Sequence, residues 1–335
     1  MGKDQKGPTV SAFVPVRIAG TGTVPAGRAV STAELVARLG QGDVAAVEAK
    51  TGIVSRWFAE PGDTAAEFGT RALRAALDMA GIGAEALDRL IFVSSLGGDA
   101  LIPATSNTIA AALGLRGSCE CFDMNNACMG FLSAFDVAAR SIVTGRGPTA
   151  IVVADLGSRF IVPEDPRPYL VVGDGVAAAV LLPGRDGEGM LASWLRNDGS
   201  IAGDVELRHP GLTHARETTR FTSSSRHITE LAVEGFRTAI GNVLEAAGIA
   251  LAEVEWLVLH QPNGSLLETV TNALGLDRSR MTNVVREVGS VGAASIPIGL
   301  DRILRSGRVG RGDRVLMAGV GAGASYGAVL VRMGS

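Results

Sequence analysis

The chain is poor in cysteine, histidine and lysine, and each shortage narrows what it can be. Three cysteines in 335 residues are too few, and odd in number, for a disulfide framework; they point to a reducing compartment. Cys119-Glu120-Cys121 lacks the spacer of a CxxC pair, and the four histidines are scattered, so no metal site is expected. Three of the 31 basic residues are lysines, a bias of composition rather than of function. A basic surplus is missing as well: the net charge is −3, which gives no nucleic-acid surface. No apolar run reaches the roughly 18–20 residues of a membrane span. The polar start Met1-Gly2-Lys3-Asp4-Gln5-Lys6-Gly7 has no secretory apolar region. The expectation is a cytoplasmic protein with neither a membrane nor a nucleic-acid partner.

What is present is apolar and repetitive. Hydrophobic residues make up 47% of the chain, enough for two similar units in one body. One unit is written twice. Ala80-Gly81-Ile82 precedes the apolar run Leu87–Val93 and a helix ending Ala112-Leu113-Gly114-Leu115. Ala247-Gly248-Ile249 precedes Val254–His260 and a helix ending Ala273-Leu274-Gly275-Leu276. Each copy then continues strand, small-residue helix, strand: near 118–122, 128–144 and 148–154, and near 281–285, 291–306 and 313–319. Alternation of this kind predicts an α/β fold with mainly parallel sheets covered by helices. The halves divide at 1–185 and 186–335 and stack about a pseudo-twofold axis.

The repeat carries a geometric expectation. Cys128 begins its helix in the first half, and Ser290 stands just before the matching helix in the second. His260 ends a strand, where Ser94-Ser95 end the equivalent one. Ligands of open α/β sheets bind beyond the carboxyl ends of the strands, so the three side chains are expected to face one cleft.

Each residue has a chemical and a structural reading. Cys128 at a strand-to-helix junction would aim its sulfur at free helix N–H groups, which favour thiolate; a free cysteine is also commonly a small buried hydrophobe. His260 is either a satisfied core imidazole or, beside a nucleophile, an acid/base or oxyanion group. Asn263 is either a side-chain donor into the cleft or a turn former. The run Gly319-Val320-Gly321-Ala322-Gly323 opens no helix and carries no lysine, so it is read as backbone held close to a reacting carbonyl rather than a phosphate loop. Gly173-Asp174-Gly175 is read as a structural turn. Residues 198–227 are polar and aperiodic and read as an entrance flap, with His209, His214 and His227 on its surface.

The segments Gly20-Thr21-Gly22, Lys50-Thr51-Gly52-Ile53, Cys128-Met129-Gly130-Phe131, Gly173-Asp174-Gly175, His260-Gln261-Pro262-Asn263 and Ala293-Ala294-Ser295-Ile296-Pro297, with the closing glycine-rich turn, resemble the β-ketoacyl-ACP synthase III group of the thiolase superfamily. The spacings of 132 residues from Cys128 to His260 and 30 from His260 to Ser290 fit as well. The resemblance implies a thiolase-like αβαβα layered fold of two duplicated halves and a homodimer. It also implies an acyl group carried as a thioester on Cys128, taken from acyl-CoA or acyl-ACP, with no permanently bound cofactor. It assigns the oxyanion hole to the N–H groups of Cys128 and Ala322, and substrate-binding positions to Asn263, Lys50, Ile102 and Val320. Ile102 falls where the family reaches across the dimer to the partner's acyl pocket.

Where the family has a catalytic asparagine, this chain has Ser290. A hydroxyl offers one donor where an amide offers two, and loss of an oxyanion donor costs about 2.7–4 kcal/mol of barrier. Decarboxylative condensation should suffer most; acylation of Cys128 should survive. Ala46 replaces a tryptophan, and Lys50 and Ser265 replace arginines at the entrance, where Arg159 and Arg167 are candidate substitutes. The reading is an acyltransferase that passes the acyl group to an alcohol, amine or thiol acceptor, in polyketide-type metabolism. Decarboxylative condensation with malonyl-ACP is the alternative. Further readings are a hydroxymethylglutaryl-CoA synthase type of condensation, with Asp99 as its base, and a catalytically silent subunit.

Overall fold

The computed structural model describes residues 13–185, 187–209 and 218–334. Two sheets carry the fold. The first has the order β1-β7-β6-β4-β5, formed by Val16–Thr23 (β1), Arg89–Val93 (β4), Glu120–Met124 (β5), Thr149–Leu156 (β6) and Asp174–Pro183 (β7). The second has the order β11-β12-β13-β8, formed by Gly189–Asn197 (β8), Trp256–Leu259 (β11), Arg314–Gly321 (β12) and Ser325–Arg332 (β13). Arg28–Ser31 (β2) pairs with Ser55–Phe58 (β3), and Val205–Glu206 (β9) with Arg220–Phe221 (β10), as short antiparallel ribbons.

Three apolar cores stack the layers. The helices Gly130–Val143 and Ser295–Arg305 are buried between the two sheets, through Phe131, Phe135, Ile296 and Leu300 against Ile151, Val153, Met317 and Val329. Helices Ala65–Ala80 and Thr105–Ala112 cover the outer face of the first sheet. Helices Ser225–Ala247 and Gly264–Leu274 cover the outer face of the second. The result is the expected helix–sheet–helix–sheet–helix order. Gly20 and Gly22 let β1 lie directly on the 65–80 helix; a Cβ at Gly20 would stand 2.1 Å from the Ala76 carbonyl oxygen.

The repeated motifs do the same work in both halves. Gly81 and Gly248 end their helices at φ 67° and 65°, in the left-handed region glycine tolerates. Ile82 and Ile249 then donate back to Leu77 and Leu244 at 3.3 and 3.1 Å. Leu115 and Leu276, after Gly114 and Gly275, donate back to Ala110 and Thr271 at 3.0 and 2.9 Å. These are Schellman stops, so the Ala-Gly-Ile and Ala-Leu-Gly-Leu echoes mark real helix ends.

Three expectations need correction. The sheets are mixed, not mainly parallel: β4 pairs parallel to β5 and β6, but β6–β7, β1–β7, β12–β13 and β13–β8 are antiparallel. The chain passes from β12 to β13 through a short turn with no crossover helix, and only an antiparallel pair can be joined that way. The expected strand at 281–285 is absent; Met281 makes one isolated bridge to Leu257. There the Gln261 side chain captures the N–H groups of Val284 and Val285 at 2.9 and 3.0 Å, and the chain turns into the short helix Val285–Val288. Finally, the strand expected near 118–122 runs from Glu120 to Met124 and is a half-exposed edge strand. Among the described residues no helix is long and apolar enough to cross a membrane, and no cluster of three metal-ligating side chains forms.

The central helix 295–305 is tied to β1 by one buried carboxylate. Asp301, 3% exposed, accepts from the Thr21 and Thr23 hydroxyls at 2.8 Å each and from Arg305 Nε at 2.8 Å. Asp301→Ala strands two threonine hydroxyls, and should cost about 2–3 kcal/mol of stability, read from urea unfolding midpoints. A loss under about 0.5 kcal/mol would mean that apolar packing alone holds this helix.

Candidate active site

Five residues separate β5 from the 130–143 helix, and their conformation presents Cys128. The Asn125 side chain accepts the Ala127 N–H at 2.9 Å, closing a tight turn in which Ala127 adopts φ 45°. A residue with a Cβ enters that region only under constraint. Cys128 therefore stands two residues ahead of the helix, not at its first position, with Met129 as the cap residue.

The glycine-rich turn after β12 comes down on this loop. A Cβ at Gly321 would lie 3.2 Å from the Cys128 nitrogen and 3.3 Å from its Cβ, and one at Gly319 would lie 2.9 Å from Met129 Sδ and 3.4 Å from His260 Cβ. The N–H groups of Ala322 and of Cys128 itself lie close enough to the Cys128 sulfur to favour its charged form. These are the two groups expected to form an oxyanion hole.

His260 follows β11 and continues its pairing, its N–H donating to Ala318 at 2.9 Å. The imidazole is 3% exposed, and its Nδ1 is buried without a hydrogen-bond partner among the described residues. Gln261 fixes the loop behind it: besides holding Val284 and Val285, its Nε2 donates to Thr282 at 2.6 Å and its N–H to Ser295 Oγ at 2.9 Å. Ser290 is held as an isolated parallel bridge, donating to Val171 at 2.8 Å and accepting from Gly173 at 2.9 Å.

Cys128, His260, Ser290, Ala322, Asn263 and Val320 all border one cavity of about 370 Å³. Asn263 also caps the 264–274 helix, its side-chain oxygen accepting the Leu266 N–H at 2.8 Å. Lys50 and Ile102 do not border the cavity: Lys50 is exposed at the end of the helix Val44–Thr51, and Ile102 is 89% exposed. The Ser265 hydroxyl donates to the Lys50 carbonyl, so these two departures from the arginine pattern meet each other rather than the cleft. Arg167 borders the cavity; Arg159 instead pairs with Asp99 at 3.8 Å. The 198–227 segment contributes Ile201, Val205, Leu207 and Thr219 to the wall, in keeping with a flap. His209 is exposed, His227 pairs with Asp204 at 3.2 Å, and His214 lies outside the described residues.

Asp155, at the end of β6, was not singled out by the sequence yet borders the cavity. It accepts from the Ser94 hydroxyl at 2.9 Å, from the Ser95 N–H and hydroxyl at 2.6 and 2.7 Å, and from the Ala293 N–H at 2.7 Å. Burial raises its pKa and these four donors oppose the rise. With its lone pairs engaged, it serves as an anchor and not as a base. Asp99, the candidate base of a hydroxymethylglutaryl-type reaction, accepts the Ala65 and Ala66 N–H groups at 2.8 Å each and so caps a helix. Asp174 lies in β7 and takes the Ala59 and Ser158 N–H groups at 2.6 and 2.7 Å, which makes the Gly-Asp-Gly segment structural.

The electrostatics differ from the expected thiolate. Burial pushes the Cys128 thiol up to about 12, with Asp155 adding to the rise, and its two N–H contacts pull only part of the way back. Burial likewise lowers His260 to about 4. At neutral pH the pair rests as thiol and neutral imidazole, and the imidazole is in its proton-accepting form.

Residues 122–199 match the family model described as 3-oxoacyl-(acyl-carrier-protein) synthase III, and residues 244–333 match the C-terminal model of the same family. The β-ketoacyl-(acyl-carrier-protein) synthase III of Neisseria meningitidis serogroup A is 32% identical over 321 residues, spanning 94% of this chain and 98% of the relative. Among solved structures, the 3-oxoacyl-(acyl-carrier-protein) synthase III of Aquifex aeolicus superposes with TM-score 0.87 at 28% identity, over 95% of this chain and 99% of that one. The priming β-ketosynthase of the R1128 polyketide pathway gives 0.86 at 26% identity, over 98% and 99%. Xanthomonas campestris OleA, at 23% identity, gives 0.85 over 96% and 97%, a likeness of fold.

The buried imidazole makes a pH prediction. A folded pKa near 4, below the ordinary 6.5, means that the unfolded chain takes the proton first. His260 therefore leaves stability intact above about pH 6.5 and erodes it as pH falls toward 4, by about 3 kcal/mol in all. Asp155 and Asp174, both raised, act in the opposite sense, so the readout is a difference. The stability gap between the wild type and His260→Gln should shrink by that amount from pH 7 to pH 4. A constant gap would mean that folding leaves the imidazole at its ordinary pKa.

Proposed function

Because the chain belongs to the 3-oxoacyl-(acyl-carrier-protein) synthase III family, we propose that Cys128 takes an acyl group from acyl-CoA or acyl-ACP and passes it to an alcohol, amine or thiol. In the first step Cys128 Sγ bonds to the thioester carbonyl carbon, the carbonyl oxygen draws on the N–H groups of Cys128 and Ala322, and the donor thiol leaves with the cysteine proton. In the second the acceptor's heteroatom attacks, His260 takes its proton, and the proton passes to the departing Cys128 sulfur. No CO₂ is released and no cofactor is consumed.

The observation that carries this reading is the cavity's polar inventory. One neutral imidazole faces one thiol, and the third position offers the single hydroxyl of Ser290. That set moves one proton at a time. Decarboxylative condensation wants two donors on a developing thioester enolate, and an amide would supply them better. The R1128 protein, a priming ketosynthase of a polyketide pathway, supports placing the reaction in polyketide-type metabolism. Leu101 and Ile102, 83% and 89% exposed, and the open edge of β5 support a homodimer in which Ile102 reaches the partner.

Intact-protein mass spectrometry after incubation with a panel of acyl-CoA and acyl-ACP thioesters should show one acyl adduct, lost in Cys128→Ala. The adduct should leave on adding a small amine, alcohol or thiol, and persist with malonyl-ACP. Release by malonyl-ACP with CO₂ evolution would instead establish ordinary condensation. Ser290→Asn should raise that CO₂-releasing activity by about 10²-fold. No adduct with any donor would support the silent-subunit reading.

A further inference from the structure

We infer that Asn126, Ser325 and Asn197 form a polar strut that sets the oxyanion hole, with Asn126 as its positioning residue; this rests on the acyl-Cys128 reading. Asn126 stands two residues before Cys128, and Ser325 three residues after Ala322. The Ser325 hydroxyl donates to Asn126 Oδ1 at 3.0 Å. Asn197, at the end of β8, donates through one amide to Ser325 Oγ at 2.5 Å and to Asn126 Oδ1 at 3.3 Å. The Asn126 amide in turn donates to Ser133 Oγ at 2.9 Å, anchoring the assembly on the second turn of the 130–143 helix. Asp198 adds a backbone bond to the Ala324 carbonyl at 3.0 Å.

The backbone on either side of the strut shows what it resists. Among the described residues the non-glycine residues with positive φ are Ala127 at 45° and Ala324 at 40°. Ala127 is the neighbour of Asn126, and Ala324 is the neighbour of Ser325. Each such alanine is strained and persists only where its surroundings hold it. The two strained residues thus sit on the two walls of the oxyanion hole, one beside each end of the same hydrogen-bonded link. Cys128 N–H comes from one wall and Ala322 N–H from the other. Relaxing either alanine would swing one donor away from its partner, and a displacement near 1 Å costs about 10²-fold in rate.

The strut touches no reacting atom, so its effect should appear where carbonyl charge develops and not where sulfur simply attacks carbon. Two rates separate these in the full chain: acylation of Cys128 by the acetyl thioester of N-acetylcysteamine, and alkylation by iodoacetamide, which forms no oxyanion. Asn126→Ala and Ser325→Ala should each slow acylation about 10- to 100-fold while alkylation stays within about threefold. The double variant should be little slower than the worse single, as members of one link are non-additive. Asn197→Ala, at an exposed position that leaves the fold intact, should slow acylation severalfold with alkylation unchanged. Equal slowing of both rates, or acylation at the wild-type rate in the variants, would overturn the strut alone. A wild-type chain that alkylates but never acylates would overturn the acyl-Cys128 reading and the strut with it.

Discussion

The site depends on two missing side chains. Gly319 and Gly321 let the last strand pair of the second half lie directly on the Cys128 loop and on His260, where a Cβ would stand 2.9–3.4 Å from its neighbours and force them to shift. Sheet packing alone would leave a side-chain-wide gap between the halves. Glycine closes it, and the backbone of one half becomes part of the reactive centre of the other. The Ala322 N–H reaches the sulfur only because the preceding residue has nothing to place in between.

Closure also desolvates the thiol and the imidazole, which is why both are pushed toward their neutral forms. Two backbone donors cannot match the water that burial removes. The consequence is a centre without charge at rest. Negative charge is stabilised when it moves from sulfur to an incoming carbonyl oxygen, which can accept both N–H groups at oxygen hydrogen-bond distances. The donors that only partly offset the raised cysteine pKa are thus better matched to the acylation step than to a standing thiolate.

The sequence disclosed the parts of the site that sit at ends of regular elements. Cys128, His260 and Ser290 could be placed because strand ends and helix starts are periodic features, and the duplication aligned them. Asp155, Gln261 and Asn126 escaped because their roles exist only through long-range contacts. Asp155 reads as the last residue of an apolar strand until Ala293, distant in sequence, donates to it. The 281–285 segment looked like a strand because nothing local announces that Gln261 will seize its backbone. The thiolate expectation failed for a related reason: a helix start is visible in sequence, whereas the desolvation of the thiol is not. Lys50 was carried over from the family pattern, yet here its helix end is closed against Gly264 and Ser265 instead of opening on the cleft.

The carboxylates of the cavity wall bear on what chemistry remains. Asp155 is filled by four donors and Glu206 is paired with Arg208 at 2.9 Å, while Asp204 lies 3.2 Å from His227 with its Oδ2 buried and without a hydrogen-bond partner among the described residues. Asp155 and Glu206 are therefore not free to remove a proton from carbon. His260 borders the same cavity as Cys128 in its proton-accepting form, and Ser290 adds one hydroxyl. An enolate would find one donor on the neutral imidazole and one on the Ser290 hydroxyl, one fewer than with an amide at 290. Transfer of an acyl group to a heteroatom asks for one proton taken and one returned, and a neutral imidazole can do both in turn. The short side chain at 290 and the four donors that occupy Asp155 therefore favour the same chemistry from independent directions.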